Sequence, residues 1–359
     1  MSTTITSHAA RHTGIDTLRG LACLLLVGLH VIGEAPEHGL RVAEDHPLAI
    51  FTGLFFHLRM PLFAMLSGFV YAWRPVQPGQ VGGFVTGKLQ RLGLPLLFAA
   101  GSFALINTVL GGAFAVEPAQ FWTIFVTPYA QFWFLQAILL LFIVIAVADA
   151  LFPKAPLNVA VGMLAISGAI FLSSLGREVE IMSLDRAIYL APFFAFGIVL
   201  NRIGTPAPKA LVNALLFGTA LLFVVNALLV MSDPAAPMLR RTILGLSFGL
   251  CFSGLLVLRH VSMRWLAWIG TFSFTIYLYH MFAVMALQMG YNFVGMPNPY
   301  LGLALGLVAG IGAPIVFHLV TQRVGGWPMR IALGLSPRKA KPQPAAIAPN
   351  PDAWPETGR

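Results

Sequence analysis

The first apolar stretch of the chain, IDTLRGLACLLLVGLHVIG, contains two ionisable side chains, Arg19 and His30. Ionisable groups inside an apolar span are costly, and they persist mostly where they line a polar cavity or do chemistry. Eleven residues advance a helix by about 1100°, so the two share a face and stand about 16 Å apart along the axis. An imidazole there suits general-base chemistry near neutral pH, and a guanidinium suits recognition of phosphate or carboxylate. Singly, each has a plainer explanation. His30 fits a helix-end histidine reaching the interface, and Arg19 fits an interfacial cation paired with Asp16 one turn earlier. Together, on one face, they favour function.

Other segments pose the same choice. In FFHLRMPLFAMLSGFVYAW, His57 and Arg59 fall near mid-span, where a buried arginine needs a partner or water. Pro61 frees a backbone carbonyl nearby, while Ser67 and Gly68 read best as a small-residue contact between helices. In GKLQRLGLP, Lys88 and Arg91 share a face three residues apart, and interfacial anchoring and phosphate binding fit them equally. Trp133 in QFWFLQAIL fits an aromatic belt or a substrate contact. His280 in SFTIYLYHMF, beside Tyr277 and Tyr279, is either a core histidine or a companion of His30 at similar depth. Cys23 and Cys251 are isolated in apolar spans and read as packing residues. No GxSxG, Walker A, HExxH or GxGxxG occurs in a suitable context, and no metal-ligand spacing is present, so no bound metal or cofactor is expected.

Composition says what positions these residues. Of 359 residues, 58% are apolar and only 10% charged, against about 25% charged in soluble proteins. The mean hydropathy is +0.81. The chain therefore reads as an all-α polytopic membrane protein. About ten transmembrane helices are expected, at roughly 15–33, 48–73, 84–112, 130–152, 156–174, 186–203, 208–231, 240–258, 265–290 and 300–322. With a cytoplasmic N-terminus, fifteen cations fall on the cytoplasmic side and five outside, which predicts that both termini are cytoplasmic. Residues 1–13 and 326–359 are expected to be disordered, the latter as a cytoplasmic tail, flanking one transmembrane domain at 14–325. The net charge of +9 does not point to nucleic acid, because the cations lie between apolar runs rather than on one basic face.

Several of these segments, in order, resemble motifs of the acyltransferase family 3 membrane proteins. IDTLRGLACLLLVGLH resembles the family's opening segment with its Arg-x10-His pair, here Arg19 and His30. MPLFAMLSGF, KLQRLGLP, FWFL, APFFAFGIVL and IGTFSFTIYLYH resemble its later motifs, and the resemblance spans about residues 14–325. It implies an integral O-acyltransferase of the cytoplasmic (inner) membrane. The acyl group, expected to be acetyl, would pass from cytoplasmic acyl-CoA to a hydroxyl of a surface or exported glycan or a lipid-linked sugar. On this reading His30, Arg19, His280 and Arg59 serve catalysis. Arg19, Lys88 and Arg91 hold the donor's phosphates, and His57, Trp133 and Tyr277 meet substrate. His57-x-Arg59 departs from the commonest family pattern and resembles the branch of glucan succinyltransferases, so succinyl transfer to a periplasmic glucan is the alternative. A glycan transporter or flippase without acyl transfer is the alternative of another class, though the chain has no convincing repeat at half-length.

Overall fold

The computed structural model describes residues 2–335, except 205, 234–238, 260, 296–297 and 325. Side chains are described from residue 13 onward, with 292, 294 and 327 also excepted. Among the described residues the chain is helical, with no strand. The helices are α1 (Ser2–Ile32), α2 (Pro47–Leu54), α3 (Phe56–Tyr71), α4 (Val81–Lys88), α5 (Leu94–Leu110), α6 (Trp133–Leu151) and α7 (Pro156–Leu172), then α8 (Leu184–Ile203), α9 (Lys209–Ser232), α10 (Ile243–Arg259), α11 (Arg264–Thr271), α12 (Ser273–Val294), α13 (Pro299–Val324) and α14 (Trp327–Ala332). A π-helical turn, Leu89–Gly93, joins α4 to α5 and carries Arg91.

Among the described residues, seven helical stretches are long and apolar enough to cross a membrane, or eight if the bent pair α10–α11 counts as one span. The chain is thus a multi-pass membrane protein, but length and apolarity alone do not reach the expected ten. The 156–174 segment yields the 17-residue α7. The 265–290 segment is not one helix, because it breaks at Phe272 (φ −101°, ψ 6°) into α11 and α12. Helix α12 carries Tyr277, Tyr279, His280 and Gln288, so its apolar content is diluted.

The ends of the chain also differ from expectation. Helix α1 runs back to Ser2. Residues 326–335 do not form a loose tail, because α14 packs on α5 and buries Ala332 and Leu333. Burying those side chains removes apolar surface from water, which the Pro- and charge-rich remainder cannot do. That remainder, 336–359, lies outside the described residues.

Small residues set the closest helix pairs. Gly68 of α3 faces the carbonyl of Phe194, and Gly197 of α8 faces the carbonyl of Met65, so the two backbones touch. Gly20 of α1 and Gly270 of α11 make the same reciprocal approach to the carbonyls of Leu266 and Asp16. In lipid, helices gain little by hiding apolar surface from one another, so close backbone approach and hydrogen bonds drive association. Thr17 Oγ1 accepts from Met263 N at 3.1 Å, and Asn201 Nδ2 donates to Phe69 O at 3.0 Å. On α9 one apolar face points outward, with Phe217 71% exposed, as expected of a face in contact with lipid, while Leu215 and Val230 are buried.

The α3–α6–α8 junction is pinned by a buried ion pair. Arg202 Nη2 donates to Asp149 Oδ2 at 2.5 Å, and Tyr71 Oη donates to the same oxygen at 2.9 Å while accepting from Val76 N. Tyr71→Phe should lower the thermal unfolding midpoint of the purified protein by a few degrees, for a loss of about 2 kcal/mol. An unchanged midpoint would show that this hydrogen bond does not stabilise the junction.

Candidate active site

Several elements converge at one end of the bundle around a cavity of about 570 Å³, within the usual range for small-molecule sites. The last turns of α1 contribute Leu26, Leu29 and His30, and the loop after it contributes Glu34, Glu37 and Arg41. Helix α3 supplies Phe56, Arg59 and Met60, the turn before α6 supplies Gln131 and the start of α6 Trp133, and α12 supplies Met281, Met285 and Gln288. Tyr189 and Arg240 complete the wall.

Local chemistry holds these pieces in place. Gly33, at φ +104°, lets the chain reverse immediately after α1, and Leu40 N donates back to Ile32 O at 3.0 Å. Gln288 Nε2 donates to the His30 carbonyl at 3.0 Å, tying α12 to the exposed end of α1. Two lining residues, Arg41 and Ala130, adopt positive φ without being glycine, a strain that tends to collect at functional sites.

His30 is half-buried because it faces the cavity. The ring of His280, itself fully buried, stands 5.2 Å from it, centroid to centroid. His280 Nδ1 lies 2.8 Å from Ile276 O and 2.9 Å from Tyr277 O. Both partners only accept, so Nδ1 carries the proton. In the neutral ring Nε2 is then an acceptor, and it has no partner among the described residues. Arg59 is 4% exposed, with its guanidinium carbon 4.9 Å from the Phe56 ring centroid. Its Nη1 has no hydrogen-bond partner, and no carboxylate lies at ion-pair distance among the described residues. A buried cation left open in this way calls for a polar or anionic guest.

The cavity thus unites His30, Arg59 and Trp133, with the His280 ring tilted behind that of His30. Tyr277 braces the wall, since its hydroxyl donates to the carbonyl of Gln131. His57 is 2% exposed, packs against Gly245 and lies outside the lining. The cations expected to bind the donor are also outside the lining. Arg19 pairs with Asp16 at 3.0 Å, and the Lys88 ammonium sits 3.4 Å from the Phe142 ring centroid. Arg91 is exposed on the π-helical turn. Its carbonyl adjoins Gly334, which also meets Phe274 of α12, so Arg91 borders the end of α12 that contacts Cys23 of α1. Sequence reasoning missed Gln131, Gln288 and Arg240 as lining residues. Gln131 stands two residues before Trp133 and was legible as a polar residue in an apolar run, whereas nothing local marks Arg240. Among the described residues no group of three or more His, Cys, Asp or Glu side chains could hold a metal ion.

A bundle of spans around a largely apolar cavity, with a histidine pair and an arginine without an ion-pair partner among the described residues, has the polar groups and the space to act on a small molecule. The family model of the acyltransferase domain matches residues 12–319, so the chain belongs to acyltransferase family 3 and is a membrane acyltransferase. No curated protein and no solved structure matches the chain.

Proposed function

We propose that the protein transfers an acyl group, acetyl in the first instance, from acyl-CoA to a hydroxyl of a glycan or lipid-linked sugar, with the chemistry at His30. The observation that carries this reading is the convergence of His30 and the open Nη1 of Arg59 on one cavity, with His280 behind His30.

The donor enters from the Arg19 end, its phosphates met by Arg19, Lys88 and Arg91, and its thin pantetheine arm reaches His30 about three helical turns away. His30 takes the proton of the acceptor hydroxyl as the oxygen attacks the thioester carbon. Arg59 Nη1 donates to the resulting oxyanion. The carbon–sulfur bond breaks, the ester forms, and His30 returns the proton to the leaving thiolate. The buried His280 ring, in contact with that of His30, positions it. The acceptor enters through the loops around Glu34, Gln131 and Arg240, which belong to the side expected to be extracytoplasmic. The cytoplasmic (inner) membrane and cytoplasmic termini complete the reading. Succinyl transfer is the second reading, favoured by the same unpaired Arg59, which would hold the distal carboxylate of that acyl group.

Mass analysis of surface glycans from a deletion strain against its parent names the acyl group directly. Loss of acetyl supports the first reading, loss of succinyl the second, and no mass change overturns both. With purified protein, Arg19→Ala should raise the KM for acyl-CoA about tenfold with a smaller change in kcat, and Arg19→Lys should recover part of it. An unaltered donor KM in Arg19→Ala removes the phosphate role.

A further inference from the structure

The loop end of the cavity carries cations that acyl transfer at His30 does not use. Arg240 lines the cavity with its guanidinium carbon 5.8 Å from the Trp133 ring centroid, and that of Arg186 lies 5.4 Å from the same ring. Arg186, which stands behind Trp133 rather than among the lining residues, has Asp185 as its one carboxylate at ion-pair distance among the described residues, at 3.7 Å, and Arg240 has none. A guanidinium lying against an indole keeps its N–H edges available. Two like charges gathered at one ring repel each other unless an anion joins them.

The arrangement is anchored. Arg241, the next residue, donates through Nε to Phe171 O at 2.9 Å, through Nη1 to Leu175 O at 3.0 Å and through Nη2 to Ser173 O at 2.9 Å. It thereby caps the C-terminal end of α7 and fixes the backbone from which Arg240 projects. Beside Trp133, Gln131 is 5% exposed, and neither Oε1 nor Nε2 has a partner among the described residues. Unsatisfied buried amide atoms facing a cavity are costly unless a ligand or water meets them. The acidic lining residues, Glu34 and Glu37, pair with neither arginine among the described residues.

We propose that Arg240, Arg186, Gln131 and Trp133 form an acceptor subsite that binds an anionic group, a carboxylate or phosphate, on the saccharide being acylated. This rests on the acyl-transfer reading. The subsite lies at the loop end of the cavity, away from Arg19, which assigns the anion to the acceptor rather than to the donor's phosphates. Gln131 reads the sugar hydroxyls, and the two guanidiniums hold the charge. The distal carboxylate of a dicarboxylic acyl group offers the same chemistry from the donor.

The test uses the purified protein in lipid nanodiscs. Glucuronate and inorganic phosphate should raise its thermal unfolding midpoint, and glucose should not. Arg240→Gln should abolish that shift and raise the KM for a uronate-containing oligosaccharide about tenfold, and Arg240→Lys should restore part of both. An absent shift, or one equally large in Arg240→Gln, overturns the subsite. If Arg240→Gln raises the KM for succinyl-CoA with a neutral acceptor but leaves uronate acceptors unaffected, the acceptor assignment is overturned in favour of the acyl group. If no acyl-CoA is turned over while the Arg240-dependent shift persists, the transfer reading fails and the anion site stands.

Discussion

His30→Ala is expected to lower acyl transfer by about 10²–10⁴-fold, the usual contribution of a general base. The unfolding midpoint should move little. His30 faces the cavity, and among the described residues its side chain has no hydrogen bond or ion pair; its polar tie to α12 runs through its backbone carbonyl, which accepts from Gln288. Removing the imidazole enlarges a cavity that is already open rather than creating a void in packed core, so the usual cavity penalty is small. His280→Ala, by contrast, empties a fully buried site and should reduce both stability and turnover. Turnover of radiolabelled acyl-CoA, read beside thermal unfolding, separates the two effects. Near-normal transfer by a folded His30→Ala protein ends the assignment of His30 as the base.

Gly68→Val is expected to prevent stable folding, at a cost of at least about 3 kcal/mol. A Cβ on Gly68 meets the carbonyl carbon and oxygen of Phe194, which are backbone atoms and cannot rotate away. The helices must then separate, and α3 carries Arg59. Separation also loosens Gly197 from Met65 and weakens the hydrogen bond from Asn201 to Phe69 O. The control is Gly162→Val on α7, where an added Cβ meets nothing within 4 Å. It should fold as well as the parent, because helix propensity then slightly favours the substitution. Monodisperse elution from size exclusion reads both variants. A well-folded Gly68→Val protein would mean that α3 and α8 are not in backbone contact.

Much of the site was legible in the sequence because burial makes polar residues conspicuous. Arg59 and His280 stand out in apolar runs, and each is buried with an unpartnered polar atom. The same signal does not say which buried polar residues line the cavity. Lys88 rests over Phe142 and Phe84, and His57 packs against Gly245, so neither reaches the cavity. Arg240 was legible only as a loop charge, since its place over Trp133 depends on Arg241 capping a helix about 70 residues earlier.

The sequence by itself determined the class of fold, because lipid offers no hydrogen bonds and continuous apolar runs of this length span it as helices rather than as the short alternating strands of a barrel. It also put Arg19 and His30 on one helical face, since helical periodicity is local. What only the tertiary structure decided is which of the ionisable residues meet. His30 and His280 are 250 residues apart in sequence, and their rings come within 5.2 Å where α12 packs on α1. Hydrophobic patterning says that both helices are buried but leaves their rotation and depth relative to each other open. Those are set by which small residues let two backbones touch and by single hydrogen bonds such as Gln288 to the His30 carbonyl.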